Sequence, residues 1–153
     1  IDNRGRILLK HRKIILLAEL MSPPYTPGKN IGVVNTRFGM VGLLICADTH
    51  DNKILKRMAG LKPDLLLVPY GYAAVEDDWP GHGRELEKVV VNTARKTKAF
   101  VIGTNPVGEI THGPWKGRIY GGQSVAADGT GRVKTIAKDR DRDIIIINVN
   151  INE

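Results

Sequence analysis

Apolar and polar positions alternate along this chain in two periods, and the switches between them predict its elements. Ile7-Leu8-Leu9 is a short apolar run that reads as a strand ending in a basic cluster. Pro23, Pro24, Pro27 and Gly28 mark residues 22–30 as loop. Ile31–Thr36 and Met40–Cys46 are β-rich and flank Arg37-Phe38-Gly39, a hairpin with glycine in its turn. The period then lengthens. Ile54, Leu55, Met58 and Leu61 recur at helical spacing, and Gly60 and Pro63 stop that helix. Leu65–Val68 is continuously apolar, as in a strand buried on both faces. Residues 70–83 read as a surface loop. A second helix follows, with Leu86, Val89, Val90, Thr93 and Ala94 on one side. Phe100–Gly103 is a further buried strand, and residues 105–118 are loop. Ser124–Ala127 and Arg132–Ala137 flank the turn Asp128-Gly129-Thr130-Gly131, and Ile144–Val149 reads as a last strand. The class is α/β, with antiparallel hairpins beside strand–helix–strand units. Two packed sheets with helices outside them suit that mixture.

Composition narrows the partners. The 153 residues suit one domain, with 42% hydrophobic and 25% charged residues, which excludes a disordered or collagen-like chain. No apolar run approaches the roughly 18 residues of a membrane span, and nothing reads as a signal peptide. We therefore expect a cytoplasmic protein that does not engage membrane. The formal charge is +7. Arg4, Arg6, Lys10, Arg12 and Lys13 against Asp2 place more than half of that excess in the first thirteen residues. Aromatic residues make up only 5%, poor material for base stacking, so nucleic acid is not an expected partner. The sequence starts at Ile1 rather than Met, which suggests part of a longer protein.

Cys46 carries the sharpest chemical signal. As the only cysteine it forms no internal disulfide and no cysteine-rich zinc site. It ends the strand Val41–Ile45 and precedes a helix starting near Thr49–Asn52. A thiol at a helix start favours thiolate, and strand–turn–helix geometry presents nucleophiles in many hydrolases. A buried, inert cysteine is the competing reading. Lys13, just after the first strand, can stabilise a thiolate and developing negative charge, or it is simply part of a solvated basic cluster. His11, His50, His82 and His112 read as surface residues, and no spacing among them gives a metal site.

The ordered set of motifs goes further. Asp2-x-x-Gly5 leads into His11-Arg12-Lys13, then Tyr25-x-Pro27-Gly28, then Thr36-x-Phe38-Gly39-x-Val41-Gly42-x-x-Ile45-Cys46-x-Asp48. Pro63–Pro69, Trp79, Thr93-Ala94-Arg95, Phe100-Val101-Ile102, Asn105, Gly122-x-Ser124 and Asp128-x-x-Gly131 continue it. The whole resembles the nitrilase superfamily of carbon–nitrogen hydrolases, specifically its C-terminal portion. The resemblance implies a four-layer α-β-β-α sandwich, incomplete because the N-terminal part of the domain is absent, and pairing into homodimers or larger homo-oligomers. Residues 1–153 would be the C-terminal part of a single domain.

The same resemblance implies a Glu-Lys-Cys site without cofactor or metal, acting on a small amide or N-carbamoyl substrate. The lysine falls on Lys13 and the nucleophile on Cys46. Lys13 and the backbone N–H of Ala47 would hold the oxyanion, and Asp48 and Thr49 would contact substrate. Glu19 is the candidate for the family's second glutamate. The general-base glutamate of the family lies upstream of the lysine, and residues 1–12 contain none. Cys46-Ala47-Asp48 looks like the amidase branch, although Thr49-His50-Asp51-Asn52 departs from the Arg-Phe-Pro-Glu that often follows. The alternatives are an inactive half-domain serving as a binding module, and a thiol-dependent N-acyltransferase of the same fold. With sheets lacking their N-terminal strands, this chain by itself should expose apolar edges and associate. Light scattering checks this, and a monodisperse monomer would contradict it.

Overall fold

The computed structural model describes residues 1–17, 25–79 and 81–149. Strands β1 (Val33–Thr36) and β2 (Gly39–Leu43) form the expected hairpin around a tight turn at Arg37-Phe38. Gly39, at φ +92°, adopts the left-handed conformation that lets β2 start directly after that turn. Helix α1 (Asn52–Gly60) leads to β3 (Leu65–Pro69), and α2 (Gly81–Thr97) to β5 (Phe100–Thr104). The hairpin of β8 (Val125–Ala127) and β9 (Val133–Ile136) completes a six-stranded sheet of order β1-β2-β3-β5-β8-β9. Its centre, β2-β3-β5, is parallel, and its flanks are antiparallel. The expected α/β class with hairpins is therefore what the chain adopts.

Both helices settle on this sheet for reasons visible in their sequences. The Asp51 carboxylate caps α1 by accepting from the N–H groups of Lys53 and Ile54, at 2.7 and 3.0 Å. Ile54, Leu55 and Met58 of α1 and Leu86, Val90 and Ala94 of α2 then join Leu66, Val68, Val101, Val125 and Ala127 in one buried cluster. Glycines make the close approach possible. A Cβ on Gly42 would stand 3.0 Å from the Met58 sulfur, and one on Gly103 would stand 2.7 Å from a Val90 methyl. The alternate strand positions, such as Val41, Leu43, Leu65, Leu67 and Ile102, are only half-buried. No helix among the described residues is long and apolar enough to cross a membrane.

A smaller sheet grows from the C-terminal ends of the parallel strands. It comprises β4 (Ala73–Ala74), β7 (Ile119–Gly121) and β6 (Val107–Glu109), all antiparallel. β4 and β6 correct the expectation that 70–83 and 105–118 are plain loops. Strands of two or three residues are too short to show a period, and the first turn of α2 falls within the supposed loop.

Two expected strands do not form. Ile7-Leu8-Leu9 pairs with no strand among the described residues, and Ile7 and Leu8 are exposed. Ile144–Val149 also lacks a ladder, with Ile144 and Ile146 each 90% exposed. An apolar β-branched run becomes a strand only where another edge supplies hydrogen-bond partners, and among the described residues none does.

The packing at Gly103 gives a direct check. Gly103→Ala would press its methyl on Val90 and, at 2.9 Å, on the Tyr70 ring. Thermal or denaturant unfolding should show a loss of about 1–3 kcal/mol.

Candidate active site

The parallel strands deliver their chemistry to one edge. Cys46 follows β2, Tyr70 and Tyr72 follow β3, and Asn105 follows β5. The carboxyl ends of parallel strands are where α/β sheets most often bind ligands.

Cys46 sits at a sharp turn. Its φ is +45°, a conformation that non-glycine residues avoid. Residues Cys46–His50 then form a short 3-10 helix, and Asp51 separates it from α1. Helix α1 thus starts within the expected window, and a five-residue 3-10 turn that begins at the thiol precedes it. The turn is internally fastened. The Thr49 hydroxyl donates to the Cys46 carbonyl at 2.7 Å and accepts from the Tyr70 phenol at 3.1 Å. The Cys46 side chain is half-buried and packs against the hydrophobic core.

Lys13 reaches the same turn. Its ammonium donates to the Ile45 carbonyl at 3.3 Å, one residue before Cys46. Lys13 and Cys46, 33 positions apart in sequence, are thus brought together. In the same turn stands Asp48, whose carboxylate is fully enclosed. One oxygen accepts from the N–H groups of Ile14 and Ile15, at 2.9 and 2.8 Å. The other accepts from Ile45 N–H at 3.0 Å and meets His11 Nε2 at 2.8 Å. Burial works against its ionisation, but the donors from His11, Ile15, Ile45 and Ile14 outweigh burial and hold the carboxyl below its ordinary range.

Asp48 and Thr49 were expected at the substrate. Both are buried and spend their polar atoms on their own chain. Ala47, next to Cys46 in the turn, is also buried. Glu19 lies outside the described residues. His11, expected at the surface, has a side chain only 3% exposed. The positional hint was present: His11 precedes Lys13 by two residues, and Asp48 follows Cys46 by two.

Aromatic residues complete the surroundings. Burial first, then the neighbouring Thr49 and Cys46 among other groups, set the Tyr70 phenol, whose net shift is upward. Burial and the nearby charges of Glu85 and Cys46 raise Tyr72. Tyr72 stacks on His82 at 4.5 Å between ring centroids, and burial pushes His82 down. Asn105 fixes the Tyr72 backbone. Its side chain accepts from Tyr72 N–H at 2.8 Å and donates to the carbonyls of Tyr72 and Gly122, at 3.1 and 3.0 Å. Ser124 Oγ accepts from Asn105 N–H at 2.9 Å. Tyr70, Tyr72 and His82 carried no motif that would have marked them.

Comparison with known proteins gives the family and the fold. The carbon-nitrogen hydrolase family model matches residues 1–153, and the chain belongs to that family. No curated protein sequence matches significantly. Among solved structures, Nit3 of Saccharomyces cerevisiae, a member of branch 10 of the nitrilase superfamily, is similar at 20% identity and a TM-score of 0.72. The match covers 92% of this chain and 48% of that one. A mutant amidase from Nesterenkonia sp. AN1, in complex with butyramide, matches at 20% identity and a TM-score of 0.70, over 90% of this chain and 50% of that one. Glutamine-dependent NAD+ synthetase from Acinetobacter baumannii matches at 18% identity and a TM-score of 0.72, over 91% of this chain and 25% of that one. The fold is that of the nitrilase superfamily, and the chain spans about half the length of the first of these structures or less.

The depressed Asp48 carboxyl has a measurable signature. A group whose folded value lies below its ordinary 3.8 stabilises the protein above that value, and the contribution fades as pH falls through the lowered one. Asp48→Asn should cost about 3–5 kcal/mol at pH 7 by breaking a buried hydrogen-bonded pair. In thermal unfolding from pH 7 to pH 2, the gap between wild type and Asp48→Asn should narrow in acid.

Proposed function

We propose that this chain supplies the nucleophile and the oxyanion-binding lysine of an amidase-like carbon–nitrogen hydrolase, acting on a small amide or N-carbamoyl compound. The observation that carries the reading is the Lys13 ammonium at the Ile45 carbonyl, directly beside the Cys46 turn. A cation there stabilises the negative charge that develops on a carbonyl oxygen under attack.

In this reading the Cys46 sulfur attacks the amide-type carbon, and its proton passes to the departing nitrogen. The tetrahedral oxyanion rests against Lys13 and the Ala47 N–H. Ammonia or an amine leaves, a thioester forms, and water cleaves it to release the acid and restore the thiol. The family resemblance assigns the proton shuttle to a glutamate upstream of Lys13. Residues 1–12 hold none, so this chain alone is expected to be inactive. Glu19 remains the candidate second carboxylate. No cofactor or metal enters the scheme, and assembly as a homo-oligomer belongs to the same proposal.

The test is ammonia release from small amides and N-carbamoyl compounds by the full-length protein that carries this chain. Cys46→Ser and Cys46→Ala should abolish turnover. Lys13→Ala should lower kcat by at least about 10²–10³, the usual loss for one oxyanion donor. Full activity in Cys46→Ala would overturn the assignment of the nucleophile.

A further inference from the structure

We infer that Asp48, gripped by His11, is a positioning residue of this site: its carboxylate fixes the Lys13 segment against the Cys46 turn. The inference rests on the proposed roles of Lys13 and Cys46 and assigns the device that joins them.

The residues bonded to Asp48 bracket both functional positions. His11 lies two residues before Lys13, and Ile14 and Ile15 are the two residues after it. Ile45 directly precedes Cys46, and Asp48 itself stands in the turn that Cys46 begins. The segment around Lys13 belongs to no strand or helix, so no ladder sets its position. Among the described residues its other backbone anchor is Gly28, whose N–H donates to the Lys13 carbonyl at 2.8 Å. Gly28 ties the segment to a neighbouring loop, whereas among the described residues only Asp48 ties its backbone to the Cys46 turn. His11 completes the grip as a buried donor whose other nitrogen, Nδ1, has no partner among the described residues. Its imidazole therefore has one polar task, at the Asp48 carboxylate. Placement this strict matters because small displacements of reacting groups cost rate steeply.

The experiment uses the full-length protein as wild type, Lys13→Ala, Asp48→Asn, His11→Phe and His11→Gln, each checked for folding by circular dichroism. Two rates are read: alkylation of Cys46 by iodoacetamide, in which the thiolate displaces iodide, and hydrolysis of propionamide. His11→Phe removes the donor and should slow alkylation about tenfold. Asp48→Asn should slow it about 10²-fold, close to Lys13→Ala. His11→Gln retains an N–H donor and should recover most of the His11→Phe loss. In hydrolysis the fall should appear in kcat with KM little changed.

A folded His11→Phe that alkylates at the wild-type rate, while Lys13→Ala is slow, overturns the inference. The two His11 variants decide the matter if Asp48→Asn does not fold. Absence of propionamide turnover in wild type, with the alkylation pattern intact, supports the positioning role and counts against the hydrolase reading. If Lys13→Ala also alkylates at the wild-type rate, both fall.

Discussion

One buried carboxylate ties the segment around Lys13 to the turn at Cys46. Asp48 is enclosed at 0% exposure, a position that is costly for an ion without partners. Three backbone N–H groups and one imidazole meet it. Those partners come from two stretches of chain thirty residues apart, and no sheet ladder joins the stretches. Burial of Asp48 and placement of Lys13 are therefore the same event. Each hydrogen bond to the charged group is worth about 1.5–3 kcal/mol, enough together to order a segment that has no regular structure of its own.

The rest of the site depends on the parallel arrangement of β2, β3 and β5. Because these strands run the same way, the residues just beyond each of them arrive at one edge. That edge receives Cys46, then Tyr70 and Tyr72, then Asn105. Tyr70 reaches back to Thr49 in the Cys46 turn, and Asn105 locks the Tyr72 backbone. The helices contribute indirectly by covering one face of the sheet. Gly42 and Gly103 let them approach closely enough to make a rigid floor under the edge.

Local pattern made much of this legible. The β1-β2 hairpin, both helices and the buried strands β3 and β5 follow from runs and spacings in the sequence. Cys46 and Lys13 stood out through turn position and motif order. The misses share a cause. Ile7-Leu8-Leu9 and Ile144–Val149 have strand-like composition, but a strand is a property of two edges, and pairing is not written in either segment. β4, β6 and β7 are too short to show a period. His11 looked like a surface residue in a basic cluster, because its partner lies 37 positions away.

The sequence by itself determined the α/β class, the order of its main elements and the residue types from which a thiol site can be built. Those depend on neighbours within a few positions, where periodicity and turn chemistry act. Only the tertiary structure decided that a 3-10 turn beginning at Cys46 precedes α1. It alone also turned Asp48 inward to His11, Ile14, Ile15 and Ile45. A buried carboxylate goes where its donors are, and those donors are assembled by the fold rather than by the chain's local order.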